Sequence, residues 1–447
     1  MINPSISYLK NKEYIDTAKW VRHNIPFAMS LPMLEKRQAF FSLIITGCIH
    51  GMVHTLSTFM SPMNMEVVRY FRLESISGVT AFKTSYLLVY AASNLVFGAL
   101  TNRISARLAL GFGIILNGAA VMAFRLVPSD GIVMMHLLWI LAAIGGGVYH
   151  PVANVFITRL YPNRKGWALG VTGMGSGIGF AFGPFLTGFL STFLLLSWRN
   201  ISLVFGSLAL IGGIMALLLI RDIPNEKASS GLPLTTGPAV PVRNPLLGSA
   251  LLIFLAFIIV IAGIREISMW TVLDISDFFI SGIHGATVKT AWILFFMYLP
   301  AIFVQPFVGA LSDRLGRRKL TVIALLGYGL SLGLVAFVPG SILILPYVIM
   351  GITQSSSTPL IEGIVADYTT PRTRGLVFGI YITAITGIGA LGPLLGGLFL
   401  DSSGKTAGSF SLLFAGMGAM VFLAGIAMIF SESVSRAVGL NKDIINE

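Results

Sequence analysis

The sequence predicts an all-α integral membrane protein, with twelve transmembrane helices arranged as two pseudo-symmetric six-helix bundles. Composition is the first ground. Of 447 residues, 55% are hydrophobic and only 11% charged, and the mean hydropathy is +0.85, whereas a soluble domain carries roughly 25% charged residues. The second ground is periodicity. The apolar runs are about 20 residues long with no period-two alternation, and backbone amides in lipid must bond within their own segment, which selects helices over barrel strands. The third is an internal repeat. Gly98-Ala-Leu-Thr-Asn-Arg-Ile-Ser-Ala-Arg107 returns 211 residues later as Gly309-Ala-Leu-Ser-Asp-Arg-Leu-Gly-Arg-Arg318. Pro151, Gly166, Gly170, Gly183 and Pro184 recur as Pro359, Gly375, Gly379, Gly392 and Pro393 at offsets of 208 to 209. Parallel halves of a membrane protein usually enclose a path between them.

In order, the spans are expected near residues 39–62, 80–100, 108–126, 132–158, 166–190, 200–220, 247–273, 287–311, 320–338, 342–366, 375–400 and 408–430. This divides the chain into an N-terminal tail (1–37), a first bundle (38–220), a linker (221–246), a second bundle (247–432) and a C-terminal tail (433–447). The linker is the one long polar stretch rich in Pro, Gly and Ser between apolar runs. Its central position matches the repeat offset. Glycines cluster at spacings of three and four, as in Gly175, Gly179 and Gly183, which places small faces along one side of a helix and lets backbones approach closely.

The net charge of +12 does not mark a nucleic-acid partner, because it is not concentrated in a folded basic domain. With both termini cytoplasmic, and cations within a turn of a span's end counted with the adjoining loop, Lys and Arg number 22 in the tails and inner loops, 7 in the outer loops and 1, Arg265, within a span. That asymmetry follows the positive-inside rule and sets the orientation, in what is expected to be a bacterial inner membrane. The first 38 residues hold no apolar core, so no cleaved signal peptide is expected. The single Cys48 excludes an internal disulfide. An enzyme is not expected, since no HExxH, paired loop aspartates or nucleophile elbow occurs, and no cofactor is implied.

With these motifs in place, the chain resembles the major facilitator superfamily of secondary transporters over residues 38 to 432. The resemblance implies that the inner loop after the eighth span latches the halves together through Gly309, Asp313, Arg314 and Arg317. In the first copy, Gly98, Arg103 and Arg107 are kept but Asn102 replaces the acid, so that latch is weaker or differently made. Gly179, Gly183 and Pro184 in the fifth span resemble the glycine–proline motif of the superfamily's exporters, and Gly392 and Pro393 repeat it. The fourth span lacks the intramembrane Arg that proton-coupled drug exporters carry before Gly145. Val148-Tyr-His150-Pro151, with a His-bearing first span, is similar to the fosmidomycin-resistance type, although His54 stands where that type has an acid.

Ionisable side chains at bilayer depth cost about 2.5 to 3.5 kcal/mol or more, so each needs a partner or a task. His50 and His54 lie in the first span, His150 in the fourth, Arg265 and Glu266 in the seventh, and Glu362 in the tenth, where it occupies the repeat position of Asn154. The resemblance implies that these four spans line a central cavity. His50 and His54 are four apart on one helical face, about 16 and 22 Å along their span at about 1.5 Å per residue. Imidazoles titrating near pH 6.5 in such a cavity suit proton exchange; a hydrogen-bonded neutral pair is the competing reading. No metal site is expected, because only His150 offers a third nitrogen and a matched carboxylate is missing. Arg265, in the outer part of its span, is either neutralised by a carboxylate or open to an anion. Glu266 is not an automatic partner, since neighbouring helical residues point about 100° apart.

The expected function is a secondary active transporter that moves a small organic solute by alternating access, with proton-coupled export first and uptake of an organic anion on Arg265 second. Its expected partners are the lipid bilayer, a small-molecule substrate and H+, with no nucleic acid and a monomeric state.

Overall fold

The computed structural model describes residues 31–101, 103–161, 165–222, 245–284, 287–369 and 374–440. Most of the expected N-terminal tail, most of the linker, the last seven residues and Asn102 lie outside them.

Twelve spans follow in order. The first is Leu31–Thr58, the second Ile76–Leu100, the third Ala106–Ala123, and the fourth is split into Ile132–Gly147 and Tyr149–Leu160. The fifth is Lys165–Phe193, the sixth Trp198–Leu219 and the seventh Pro245–His284. The eighth is split into Thr287–Tyr298 and Ala301–Leu315, followed by Arg317–Val335, Ile344–Asp367, Arg374–Ser402 and Ala407–Ile429. The eighth span breaks at Pro300, which lacks an N–H for the preceding turn. By length and composition alone, nine of the described helical stretches qualify as membrane-crossing. The second, eighth and tenth spans fall outside that set: the eighth is divided by its break, and the other two carry polar interior positions.

Each bundle is built by the same helix pairings. The third span packs on the sixth and the first on the fifth; the ninth packs on the twelfth and the seventh on the eleventh in the same way. Small residues set these distances. A Cβ at Gly118 would lie 2.9 Å from the carbonyl oxygen of Gly206, and one at Gly329 2.6 Å from that of Gly418. Backbones this close gain dispersion and exclude lipid, which replaces the hydrophobic drive that lipid does not provide. The bundles then meet along two related seams, second span on eleventh and fifth on eighth.

The seams close at one end of the molecule. At the face opposite the chain ends, here called the far face, Asn64 Nδ2 donates to the Asp274 carbonyl at 2.7 Å and the Met65 amide donates to Asp277 Oδ2 at 3.0 Å. Lys405 there donates to the Glu74 carbonyl, and deeper along the same seam Thr84 Oγ1 donates to the Ala390 carbonyl at 2.8 Å. The glycines of the fifth and eleventh spans record the gradient. A Cβ on Gly397, near the far face, would sit 2.8 Å from Ser77 Cα, whereas one on Gly170, Gly173 or Gly379, toward the chain ends, would meet nothing within 4 Å. The bundles are joined at the far face and diverge toward the face that bears the tails.

Candidate functional site: the central cavity

A cavity of about 380 Å³ lies between the bundles and is lined by His50, His54, His150, Asn154, Arg265, Glu266 and Glu362, every residue expected on the path. It is also lined by the second, fifth, eighth and eleventh spans, through Tyr86, Tyr90, Phe180, Tyr298, Gln305 and Ile382.

On the first bundle's wall, the fourth span breaks after Gly145-Gly146-Gly147 and restarts at Tyr149. The glycines let it settle against the second and third spans: a Cβ on Gly147 would meet the Tyr90 carbonyl at 3.0 Å and one on Gly145 the Asn117 amide at 2.6 Å. This seats His150 beside the first span, with its ring 5.0 Å from that of His50 and 5.8 Å from that of His54. His50 Nδ1 lies 2.8 Å from the Thr172 carbonyl, which only accepts, so Nδ1 carries the hydrogen and Nε2 is left with a lone pair. His54 Nε2, 3.2 Å away, therefore donates to it. Tyr149 stacks on His50 at 4.4 Å and Phe180 on His54 at 4.4 Å. Phe180 in turn reaches the second bundle, 5.1 Å from Tyr298 and 6.0 Å from Trp270.

On the opposite wall Arg265 is 3% exposed, a buried cation with most of its donors engaged. Its Nε donates to Ser357 Oγ at 2.6 Å, and the guanidinium also bonds Thr358 Oγ1, the Gln354 carbonyl and the Glu266 carboxylate. The expectation that adjacent residues would diverge is corrected here. The long Arg265 side chain folds back along its own helix, and the Ser and Thr of the tenth span hold the guanidinium where Glu266 reaches it. The seventh helix also runs eleven residues beyond its expected end, so Arg265 stands at its middle rather than in its outer part. Glu362 sits in the electrostatic neighbourhood of both Arg265 and Glu266.

The confinement of ionisable groups to four spans is likewise corrected. Lys83, in the second span and read as outer-loop charge, is 4% exposed; it donates to the Ser57 carbonyl and lies 5.4 and 6.0 Å from the Trp139 and Trp270 ring centroids. Asp274 and Asp277, expected in a loop, are 3% and 0% exposed within the extended seventh helix. A stripe of Glu266, Trp270, Asp274, Asp277 and Ser281 at steps of three and four was the signal that this helix continues.

The loop motifs sit near the tail face. Asp222, after the sixth span, accepts from Ser105 Oγ at 2.5 Å and from the Arg107 amide at 3.0 Å, and so supplies the acid that the first copy lacks at Asn102. Arg317 bonds Asp367 and the Gly363 carbonyl, and Arg318 bonds Glu432. These partners belong to the same bundle as their arginines, as expected where the bundles diverge. Gly98 leaves room at the end of the second span, where a Cβ would lie 3.8 Å from Pro151; Arg103 lines the adjacent groove, and the side chain of Asp313 is outside the described residues. In the glycine–proline motifs, a Cβ on Gly179 would meet His54 Cβ at 2.9 Å and one on Gly183 Thr58 Oγ1 at 2.8 Å, while Gly392 faces Thr271 Oγ1 at 2.6 Å. Pro184 and Pro393 lie inside their helices.

A family model described as Major Facilitator Superfamily matches residues 43–287 and 275–443. The chain belongs to the Major Facilitator Superfamily. That superfamily is one of membrane transporters. Similar curated proteins include the Quinolone resistance protein NorA of Staphylococcus aureus, 30% identical over 147 residues that make up 32% of this chain. The MFS-type efflux pump MMF1 of Pseudozyma antarctica is 29% identical over 150 residues, 33% of this chain. The chain spans 37% of the length of NorA and 28% of that of MMF1. Among solved structures, a bacterial homolog of the human lysosomal transporter Spinster, inward-facing and unoccupied, superposes with a TM-score of 0.67 at 15% identity. That likeness covers 90% of this chain and 97% of the other, and it shows the shared fold.

Proposed function

We propose that this superfamily member exports a small organic solute in exchange for protons, by rocking residues 38–220 against residues 247–432 as a monomer in a bacterial inner membrane. The carrying observation is a cavity closed at the far face and lined from both bundles by ionisable side chains: His50, His54 and His150 on one wall, Glu266 and Glu362 on the other. Proton exchange needs such groups at bilayer depth, where each carries a cost that its partners only in part offset. The positive-inside pattern makes the tail face cytoplasmic, so this state is inward-open. In the reverse state the inner-loop residues Asp313, Arg314 and Arg317 would form the latch.

The names of NorA and MMF1 favour efflux. The buried hydroxyls of Tyr86, Tyr90 and Tyr298 have no partner among the described residues, and with Phe180 and Trp270 they suit an amphipathic aromatic solute. Uptake of an anion on Arg265 ranks second, because Glu266 already neutralises that guanidinium and three oxygens of the tenth span engage it.

The test uses inside-out proteoliposomes with an acidic lumen and a panel of amphipathic aromatic compounds that includes quinolones. Accumulation that collapses with a protonophore, and in Glu266→Gln, supports the reading. Flux that ignores the gradient in both the parent and the variant contradicts it.

A further inference from the structure

The three cavity histidines present their ligand nitrogens within 4.8 Å of one another. No carboxylate is needed to make them a site, since three neutral imidazoles are a common ligand set for first-row transition metals. We propose that His50, His54 and His150 bind a divalent transition-metal ion such as Zn2+, Ni2+ or Co2+, with the remaining coordination positions open to the cavity.

Four features carry this. First, the His50 and His54 Nε2 atoms are 3.2 Å apart, and an ion with metal–nitrogen bonds of about 2.1 Å holds neighbouring ligands about 3.0 to 3.4 Å apart. Second, His50 Nδ1 donates to the Thr172 carbonyl at 2.8 Å. That outer bond is the one that orients a metal-binding imidazole and directs its other nitrogen at the ion. Third, the rings are held before any ion arrives: Tyr149 stacks on His50, Phe180 on His54, and the break at Val148 fixes His150 beside them. Fourth, all three line the cavity, so an incoming ion reaches them from it, and a chelating solute has access to the open positions. The ion binds as His54 moves its hydrogen from Nε2 to Nδ1 and the three nitrogens, within 4.8 Å of one another, draw in around it.

The ion and a proton compete for the same lone pairs, so a site that takes one releases the other, which is the logic an exchanger requires. The ion as part of the transported species rests on the export reading; its binding rests on the side chains alone.

The test titrates Co2+ into the full chain in detergent, purified without a histidine tag, and follows visible d–d absorption with Zn2+ as competitor. One ion per chain is expected, displaced by Zn2+. The band should be lost, or binding weakened at least about tenfold, in His54→Gln and His150→Gln, while His136→Gln, outside the cluster, retains it. Unfolding temperatures of the four proteins establish that each is folded. Absence of a band in the folded parent, or a band unchanged in both cluster variants, overturns the site. Proton-driven flux that persists after chelator treatment, in a chain that binds no Co2+, removes the metal proposal and leaves the export reading standing. A bound ion without any proton-driven flux does the reverse.

Discussion

Asp401, at the far end of the eleventh span, accepts the backbone amide of Ile76 at 2.7 Å and so caps the second span from the other bundle. Its second oxygen accepts the Ser77 amide at 2.9 Å. The first helical amides of Ile76–Leu100 have no partner within their own helix, and a carboxylate there satisfies two of them while favouring the positive end of the dipole. The far face is closed in part by this cap. Asp401→Ala is expected to destabilise the closed far face by about 2 kcal/mol, a shift on the order of 30-fold in the open-to-closed ratio. Alkylation of a cysteine placed at Ser57, by an impermeant reagent applied from the far face, should accelerate accordingly. An unchanged rate would show that the cap does not hold the gate.

Lys83 and Asp274 lie on opposite bundles and interact electrostatically inside the far-face seal. Removing either charge leaves the other buried without its counterpart. Lys83→Met and Asp274→Asn are each expected to lower stability by about 2 kcal/mol or more, and the double variant by less than their sum, with a coupling on the order of 1 to 3 kcal/mol. Unfolding in detergent measures the cycle. Additive losses would mean that the two groups do not act as a pair.

Gly397 and Gly170 offer a contrast within one architecture. A Cβ on Gly397 would press on Ser77 Cα and N at 2.8 and 2.9 Å, both backbone atoms of the other bundle. Gly397→Ala should therefore cost about 1 to 3 kcal/mol of far-face closure and slow transport. Gly170→Ala meets nothing in this state and should leave its stability unchanged or raised by up to about 1 kcal/mol through helix propensity. Equal effects of the two substitutions on far-face alkylation would contradict the gradient.

Asp222 holds the first inner-loop motif by accepting from Ser105 Oγ and the Arg107 amide at the start of the third span. Asp222→Ala is expected to lower stability by about 1 kcal/mol, with Asp222→Asn recovering part of it. Thermal unfolding of the pair decides, and an unchanged midpoint in the alanine variant would sink the assignment.

Much of this was legible in the sequence because membrane helices obey few rules. Twelve apolar runs and a repeat near 210 residues give the two bundles, and the i, i+4 spacing of His50 and His54 puts them on one face with no structural input. The ends of spans are harder to read. Apolar length sets where a helix can cross lipid, but protein contacts decide where it stops, so the seventh helix continues through Asp274 and Asp277 once Asn64 and Met65 of the other bundle bond to them. Lys83, three residues inside the expected start of its span, reads as a loop cation for the same reason. The Arg265–Glu266 pair was hidden by its adjacency, because helix geometry places Cα–Cβ directions and not the reach of a guanidinium. The acid that serves the first inner loop was out of sight because Asp222 is 120 residues from Asn102.

Rocking of the bundles is tested most directly by double electron–electron resonance in liposomes, with Cys48 replaced and spin labels paired across each face. One pair joins Glu74 to Ser403 at the far face, and the other joins Trp167 to Leu376 at the tail face, all four exposed positions. Lowering the pH or adding a transported solute should lengthen one distance while shortening the other. Distances that stay fixed under every condition, or that lengthen and shorten together, would contradict alternating access in this chain.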